Sequence, residues 1–169
     1  MTVLQQIARW RVPLGFLSAA VAFVLARPSW QSLAVGLLVA VPGEVVRVWA
    51  AGHIDKGREI TRSGPYRYVR HPLYLGSTLL GVGFGIAARS LVVLILTLAY
   101  LSITLVAAMR SEEAQLDAKF AGAYAAYRAG LVEPVARPFS WARVAKNREY
   151  RAVLGLVAAF AVLAMLALR

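Results

Sequence analysis

GPYRYVRHPLYLG, residues 64–76, is a basic, aromatic stretch that ends by running into an apolar segment. Pro72 has a fixed φ and no backbone N–H, which suits the first turn of a helix. The stretch therefore reads as a loop that becomes a membrane helix at His71-Pro72. The first N–H groups of such a helix have no intrahelical acceptor, and the helix dipole favours negative charge there. Arg67, Arg70 and His71 add positive charge at the same end. Two readings stand at this point: a site for an anionic group at a membrane surface, or arginines and tyrosines that anchor the chain among lipid headgroups.

The rest of the chain surrounds this stretch with apolar runs. Hydrophobic residues make up 60% of the 169, against ~45–50% in an ordinary soluble domain. Runs at about 12–26, 33–51, 72–87, 91–109 and 152–168 give five expected transmembrane helices in one domain. The first is read as a span and not a signal peptide, because no small-x-small cleavage site precedes the polar break at Arg27-Pro28 and more spans follow. The expected fold is thus an all-α polytopic membrane protein with interfacial helices. In so apolar a chain the net charge of +11 points to anionic lipid headgroups and not to nucleic acid. With no cysteine and only His53 and His71, no disulfide framework and no protein-built zinc site is expected.

Lysine and arginine placement sets the orientation. With the N-terminus in the cytoplasm, fifteen of the nineteen lie on the cytoplasmic side. Only Arg27, Arg89 and Arg169 lie on the other, and Arg47 falls inside a span. By the positive-inside rule, both long polar segments, 52–71 and 110–151, share the cytoplasmic face of an inner or plasma membrane. Leu116, Phe120, Tyr124 and Tyr127 recur at helical spacing, which predicts a stripe that continues the fourth span and bends onto the surface. Phe139, Trp141 and Val144 among arginines suggest a further piece in the interface.

The third and fourth spans are joined by Ala88-Arg89-Ser90, a turn so short that the two helices must be antiparallel neighbours. Arg70-His71-Pro72 then meets Arg110-Ser111-Glu112-Glu113. Acidic residues at a helix C-terminus oppose the dipole, so helix stability does not explain Glu112 and Glu113. The two ends offer an anion site beside a cation site, which would suit S-adenosylmethionine with its carboxylate, ammonium and sulfonium; a plain salt bridge from Arg70 or Arg110 is the competing account. Glu44 and Arg47, three residues apart inside the second span, are costly there unless paired or facing a cavity. They are candidates to line the route of a lipid acceptor. Gly81-Val-Gly83-Phe-Gly85 lacks the spacing and the preceding strand of a nucleotide loop and reads as small residues for close helix approach.

GPYRYVRHPLYLG, followed about 36 residues later by EEAQLDAKFAGAYAAY, resembles the isoprenylcysteine carboxyl methyltransferase family and its phospholipid methyltransferase relatives. The shared pattern is Arg-His-Pro-x-Tyr-x-Gly, Glu-Glu-x-x-Leu and Phe-Gly-x-x-Tyr-x-x-Tyr, over roughly Gly52 to Tyr127. The resemblance implies a membrane-embedded, S-adenosyl-L-methionine-dependent methyltransferase with a lipophilic acceptor and a cytoplasmic-side cofactor pocket. It implies cofactor binding by Tyr66, His71, Pro72, Leu73, Tyr74, Glu112 and Glu113, and catalytic roles for His71, Tyr74 and Glu112. His53 is added to the cofactor residues from its position at the mouth of the same region. Arg110, Glu44 and Arg47 are the substrate-binding candidates.

Two positions depart from the pattern. The glycine after Phe120 is Ala121, with Gly122 next. The arginine that the isoprenylcysteine enzymes place one turn before the first motif glutamate is Ala108. The acceptor therefore stays open between an isoprenylcysteine-like carboxylate and a lipid amine. An NADPH-dependent reductase of the sterol type shares the His-Pro-x-Tyr-x-Gly helix, but this chain has Leu73 and Ser77 where that class carries Asn and Glu. A non-catalytic membrane protein of the same fold is the third reading.

Overall fold

The computed structural model describes the backbone of residues 3–120 and 122–169, with side chains from Pro13 onward except Ala121. Arg9 and Arg11, which entered the charge asymmetry, and the Ala121 departure lie outside the described side chains. The described chain is all-helical: α1 (Val3–Leu25), α2 (Trp30–Ala51), a 3-10 turn (Gly64–Arg67), α3 (Pro72–Ala87), α4 (Leu91–Lys119), α5 (Ala123–Arg128), α6 (Trp141–Lys146) and α7 (Tyr150–Ala167).

Local chemistry sets the boundaries. Ser29 caps α2 by accepting from the Ser32 amide at 3.2 Å, while Ser32 Oγ accepts from the Ser29 amide at 2.9 Å. Pro72 opens α3 with no donor to leave unpaired. α4 stops at Lys119, and Gly122, at φ 80°, starts α5 in a conformation that disfavours a side chain. The aromatic stripe through Leu116, Phe120, Tyr124 and Tyr127 thus lies on two helices, with a break where one bending helix was expected.

α2, α4 and α7 are long and apolar enough to cross a membrane. The apolar part of α1, Pro13–Leu25, and α3 are shorter. At 1.5 Å per residue the 16 residues of α3 reach about 24 Å, less than a hydrocarbon core of ~30 Å. Phe16, Leu38, Ile95, Val157 and Met165 stand exposed on the bundle, an apolar surface that suits lipid and not water.

The interior is tightest between α2 and α3. A Cβ on Gly36 would lie 2.5 Å from the Gly83 carbonyl oxygen, and one on Gly83 would lie 2.6 Å from that of Gly36. Gly43 and Gly76 repeat the reciprocal contact at 2.8 and 2.5 Å. Two antiparallel backbones therefore touch directly, which only glycine permits. Gly81 and Gly85 face the other way, against Leu101 and Leu94 of α4. α3 is thus held between α2 and α4, with α7 against α2 and α3 and α1 against α4. At one end of the bundle Ala22, Leu33, Ala87, Val93, Phe160 and Leu163 form the main apolar core. At the other end the two polar segments meet.

Candidate active site

The segment after α2 folds back and is held by α6. Arg143 Nε donates to the Gly52 carbonyl at 2.7 Å, and Asn147 Nδ2 to those of Ala51 at 2.9 Å and Ile54 at 3.2 Å. Lys146 pairs with Asp55 at 2.7 Å, and that hydrogen bond is the main reason the Asp55 carboxyl lies below its usual range. On the far side Lys119 donates to the Gly57 carbonyl. Between these ties lies a pocket of about 460 Å³, within the ~300–1,000 Å³ of small-molecule sites.

The N-terminus of α3 and the C-terminal part of α4 form one wall. Tyr74 OH donates to Glu112 Oε2 at 2.9 Å. One residue on, Glu113 Oε1 takes three partners: His71 Nε2 at 3.0 Å, Tyr124 OH at 3.2 Å and, more distantly, Arg70 Nη1 at 4.0 Å. The adjacent glutamates therefore differ. Glu113 is occupied by the fold and does not line the pocket, whereas Glu112 lines it and keeps acceptor capacity. With His71 Nε2–H donating to Glu113, the lone pair of Nδ1 is the basic atom of that ring.

The opposite wall comes from the 52–71 segment and the 3-10 turn. Tyr66 is buried, and its main-chain carbonyl accepts from Tyr127 OH at 3.0 Å. Burial, and then the nearby Glu112 carboxylate, push the Tyr66 phenol far above its ordinary value, so it stays a neutral hydroxyl. That hydroxyl has no hydrogen-bond partner, and neither does buried Thr61 Oγ1, although both residues line the pocket. Unpartnered buried hydroxyls are uncommon and call for a ligand or water.

Of the residues singled out in the sequence, Tyr66, His71, Leu73, Tyr74 and Glu112 line this pocket together. Pro72 is buried behind them as the first residue of α3. His53 is not brought to the pocket. Its ring lies beneath Gly64, where a Cβ would come 2.5 Å from His53 Cγ, and its Nδ1–H donates to the Trp49 carbonyl at 2.9 Å. Phe139 packs against its side, with centroids 6.0 Å apart. Arg110 is exposed and lines neither this pocket nor the cavity described next.

Arg47 lines a second, apolar space of about 710 Å³ among α1, α3, α4 and α7, with Ser77 beside it. Its Nη1 donates to Ser77 Oγ and, at 3.4 Å, to the carbonyl of Leu73, a residue of the polar pocket. Its closest carboxylate is Glu149, at 2.7 Å from Nη2; Glu44 stands 3.7 Å from Nε. The spacing of Glu44 and Arg47 found the lesser pair, and nothing in the sequence marked Glu149. Tyr124 and Tyr127 were visible as an aromatic stripe, but only the fold turns them to the pocket.

Residues 45–123 match the profile of the family described as phospholipid methyltransferase. The cobalt-zinc-cadmium resistance protein CzcN of Cupriavidus metallidurans is 34% identical over an alignment covering 68% of this chain and 56% of that protein. The nickel-cobalt-cadmium resistance protein NccN of Alcaligenes xylosoxydans xylosoxydans is 31% identical over 68% of this chain and 57% of its own length. The chain thus spans little more than half the length of these curated relatives. No solved structure matches. The matched residues run from the middle of α2 to the start of α5 and include both glutamates, His71 and Tyr74, and over that stretch the chain is similar to the phospholipid methyltransferase family.

Proposed function

We propose that the protein is an S-adenosylmethionine-dependent methyltransferase that acts on a lipophilic acceptor taken from the bilayer, with its cofactor pocket on the cytoplasmic face. The observation that carries this is the meeting of Tyr74 with Glu112 and of His71 with Glu113 on one pocket wall. The cofactor, when bound, supplies an electrophilic methyl on a sulfonium. The wall residues suit its mixed charge. Glu112 would hold the ammonium, Lys56, Arg70 and Lys119 surround the pocket with positive charge for a carboxylate, and the unpartnered Tyr66 and Thr61 hydroxyls would find partners.

In-line displacement needs no covalent enzyme intermediate. The chain's own contribution is alignment and exclusion of water, and positioning of this kind is worth ~7–11 kcal/mol. An amine acceptor must first lose a proton, and His71 Nδ1 is the base that the ring geometry leaves for it. A carboxylate acceptor needs no base. The apolar cavity behind α3 supports a lipophilic acceptor, because Arg47 and Ser77 form its polar end and Arg47 bonds to Leu73 of the cofactor pocket. The names of the two relatives refer to metal resistance; among the described residues no three His, Asp or Glu side chains converge as metal ligands.

Calorimetry of S-adenosylhomocysteine and of NADPH on the detergent-purified protein is the direct test. S-adenosylhomocysteine is expected to bind, and Glu112→Ala to weaken it at least about tenfold, as for a lost charge-assisted hydrogen bond. Labelled methyl transfer into lipid extracts would then identify the acceptor. Binding of NADPH alone would establish the reductase reading instead. Tyr66→Phe separates ligand binding from packing: an unpartnered buried hydroxyl costs ~1–3 kcal/mol, so its removal should leave the thermal midpoint unchanged or higher while weakening S-adenosylhomocysteine several-fold. Unchanged affinity would assign Tyr66 to packing alone.

A further inference from the structure

Back to back with the cofactor pocket lies a cavity of about 420 Å³ that the function above does not use. Glu59, Ile60 and Tyr127 line both and form the partition. Three arginines from two distant stretches meet around it: Arg58 and Arg62 from the segment after α2, and Arg137 from the return segment after α5. Glu59 is the sole carboxylate on its described wall, and Arg137 already neutralises it through a two-pronged pair, Nη1–Oε1 at 2.5 Å and Nη2–Oε2 at 2.6 Å. Arg58 stands 3.9 Å from Asp55, whose Oδ1 is taken by Lys146 at 2.7 Å. Arg62 donates from Nη1 to the Glu133 carbonyl at 3.2 Å, while its own carbonyl accepts from the Val135 amide at 3.3 Å. Those contacts fix its position without neutralising its charge.

A second observation points to a ligand. Ser63 lines this cavity, is 2% exposed, and its hydroxyl has no hydrogen-bond partner. It occupies the N-cap position of the 3-10 turn, where a serine hydroxyl ordinarily accepts a backbone N–H, yet it makes no such bond. Part of the wall is apolar, with Phe120, Val132 and Val135. That wall lowers the local dielectric and strengthens any ion pair made there.

We propose that this cavity binds the phosphate group of an organic phosphate ester, with the Arg58 and Arg62 guanidinium groups and the Ser63 hydroxyl as donors. Guanidinium forks match phosphate oxygens in pairs, and the apolar wall suits the organic part of an ester better than a bare ion. A lipid headgroup and a soluble phosphate ester share this chemistry, so the test has an arm for each.

For the soluble source, glycerol 3-phosphate is titrated calorimetrically into the detergent-purified chain. For the lipid source, the thermal midpoint is compared in a phosphate-free maltoside detergent with and without added phosphatidylglycerol. Binding in either arm is expected, with Arg62→Gln and Ser63→Ala each weakening it roughly tenfold. Arg58→Gln guards against misfolding, because that side chain is 75% exposed; it should weaken binding while leaving the ligand-free midpoint unchanged. Arg128→Gln, at an exposed position outside the cavity, should bind as the unaltered chain does. No response in either arm, or equal weakening by Arg128→Gln and Arg62→Gln, would overturn the site and leave only non-specific attraction to a chain of net charge +11.

Discussion

Gly83→Leu is expected to destroy the packing of α2 on α3 and with it the folded protein. A Cβ at residue 83 would lie 2.6 Å from the Gly36 carbonyl oxygen and 2.7 Å from both the Ala40 amide nitrogen and its Cβ. Two of these three obstacles are backbone atoms of a helix interior, which no rotamer change moves aside. The helices must separate, and the reciprocal contact at Gly43 and Gly76 lies on the same interface. Overpacking of a well-filled core costs ~1–3 kcal/mol and occasionally more; a leucine against backbone belongs at or above the top of that range. A domain is stable by only ~5–15 kcal/mol. The measurement is the thermal midpoint and monodispersity in detergent, with Gly155→Ala as comparison. Nothing lies within 4 Å of a Cβ at Gly155, so that change should be neutral or stabilising by ~0.5–1 kcal/mol through helix propensity. Equal midpoints for the two variants would mean that α2 and α3 do not touch as described.

The same interface explains how much of the site was legible. His71 and Tyr74 begin α3, so their position is set by where α3 docks. Pro72 marked that start, and the Ala88–Ser90 turn forced Glu112 and Glu113 back beside it, because three residues leave no other route. Helical spacing failed where a single backbone angle decides. The stripe from Leu116 to Tyr127 keeps its period across Gly122, yet φ of 80° there ends one helix and starts another. Pairing failed where partners are remote in the chain. Spacing makes Glu44 the obvious partner of Arg47, but only the docking of α7 brings in Glu149, the nearer of the two. His53 misled because an exposed-looking loop position is in fact filled by Gly64 and Phe139. The division between Glu112 and Glu113 was hidden for a related reason. Adjacent residues on a helix point about 100° apart, and which of them meets Tyr124 depends on the break before α5.

Arg47→Met is expected to destabilise the protein by about 3–5 kcal/mol, the cost of leaving a buried charge without its partner. The Glu149 and Glu44 side chains are only 6% and 10% exposed, so neither is hydrated enough in place to replace Arg47. In a bilayer the penalty for such orphans is at least as large. The loss of midpoint alone would not separate a structural arginine from one that meets the acceptor. Glu44→Leu/Arg47→Met/Glu149→Gln removes all three charges together, and the amide at residue 149 keeps a polar group at the start of α7. Replacing a whole buried ionic group by uncharged side chains is often neutral or stabilising, so the triple variant should recover most of the midpoint. None of the three side chains lines the proposed cofactor pocket, and the only tie lost to its wall is the long Arg47 bond to the Leu73 carbonyl, so S-adenosylhomocysteine should bind within a few-fold of the unaltered affinity. If Arg47 and Ser77 form the polar end of the acceptor cavity, methyl transfer into lipid should still be lost. Transfer at the original rate in the folded triple variant would show that the charges serve the packing of α2, α3 and α7 and that the acceptor is held elsewhere.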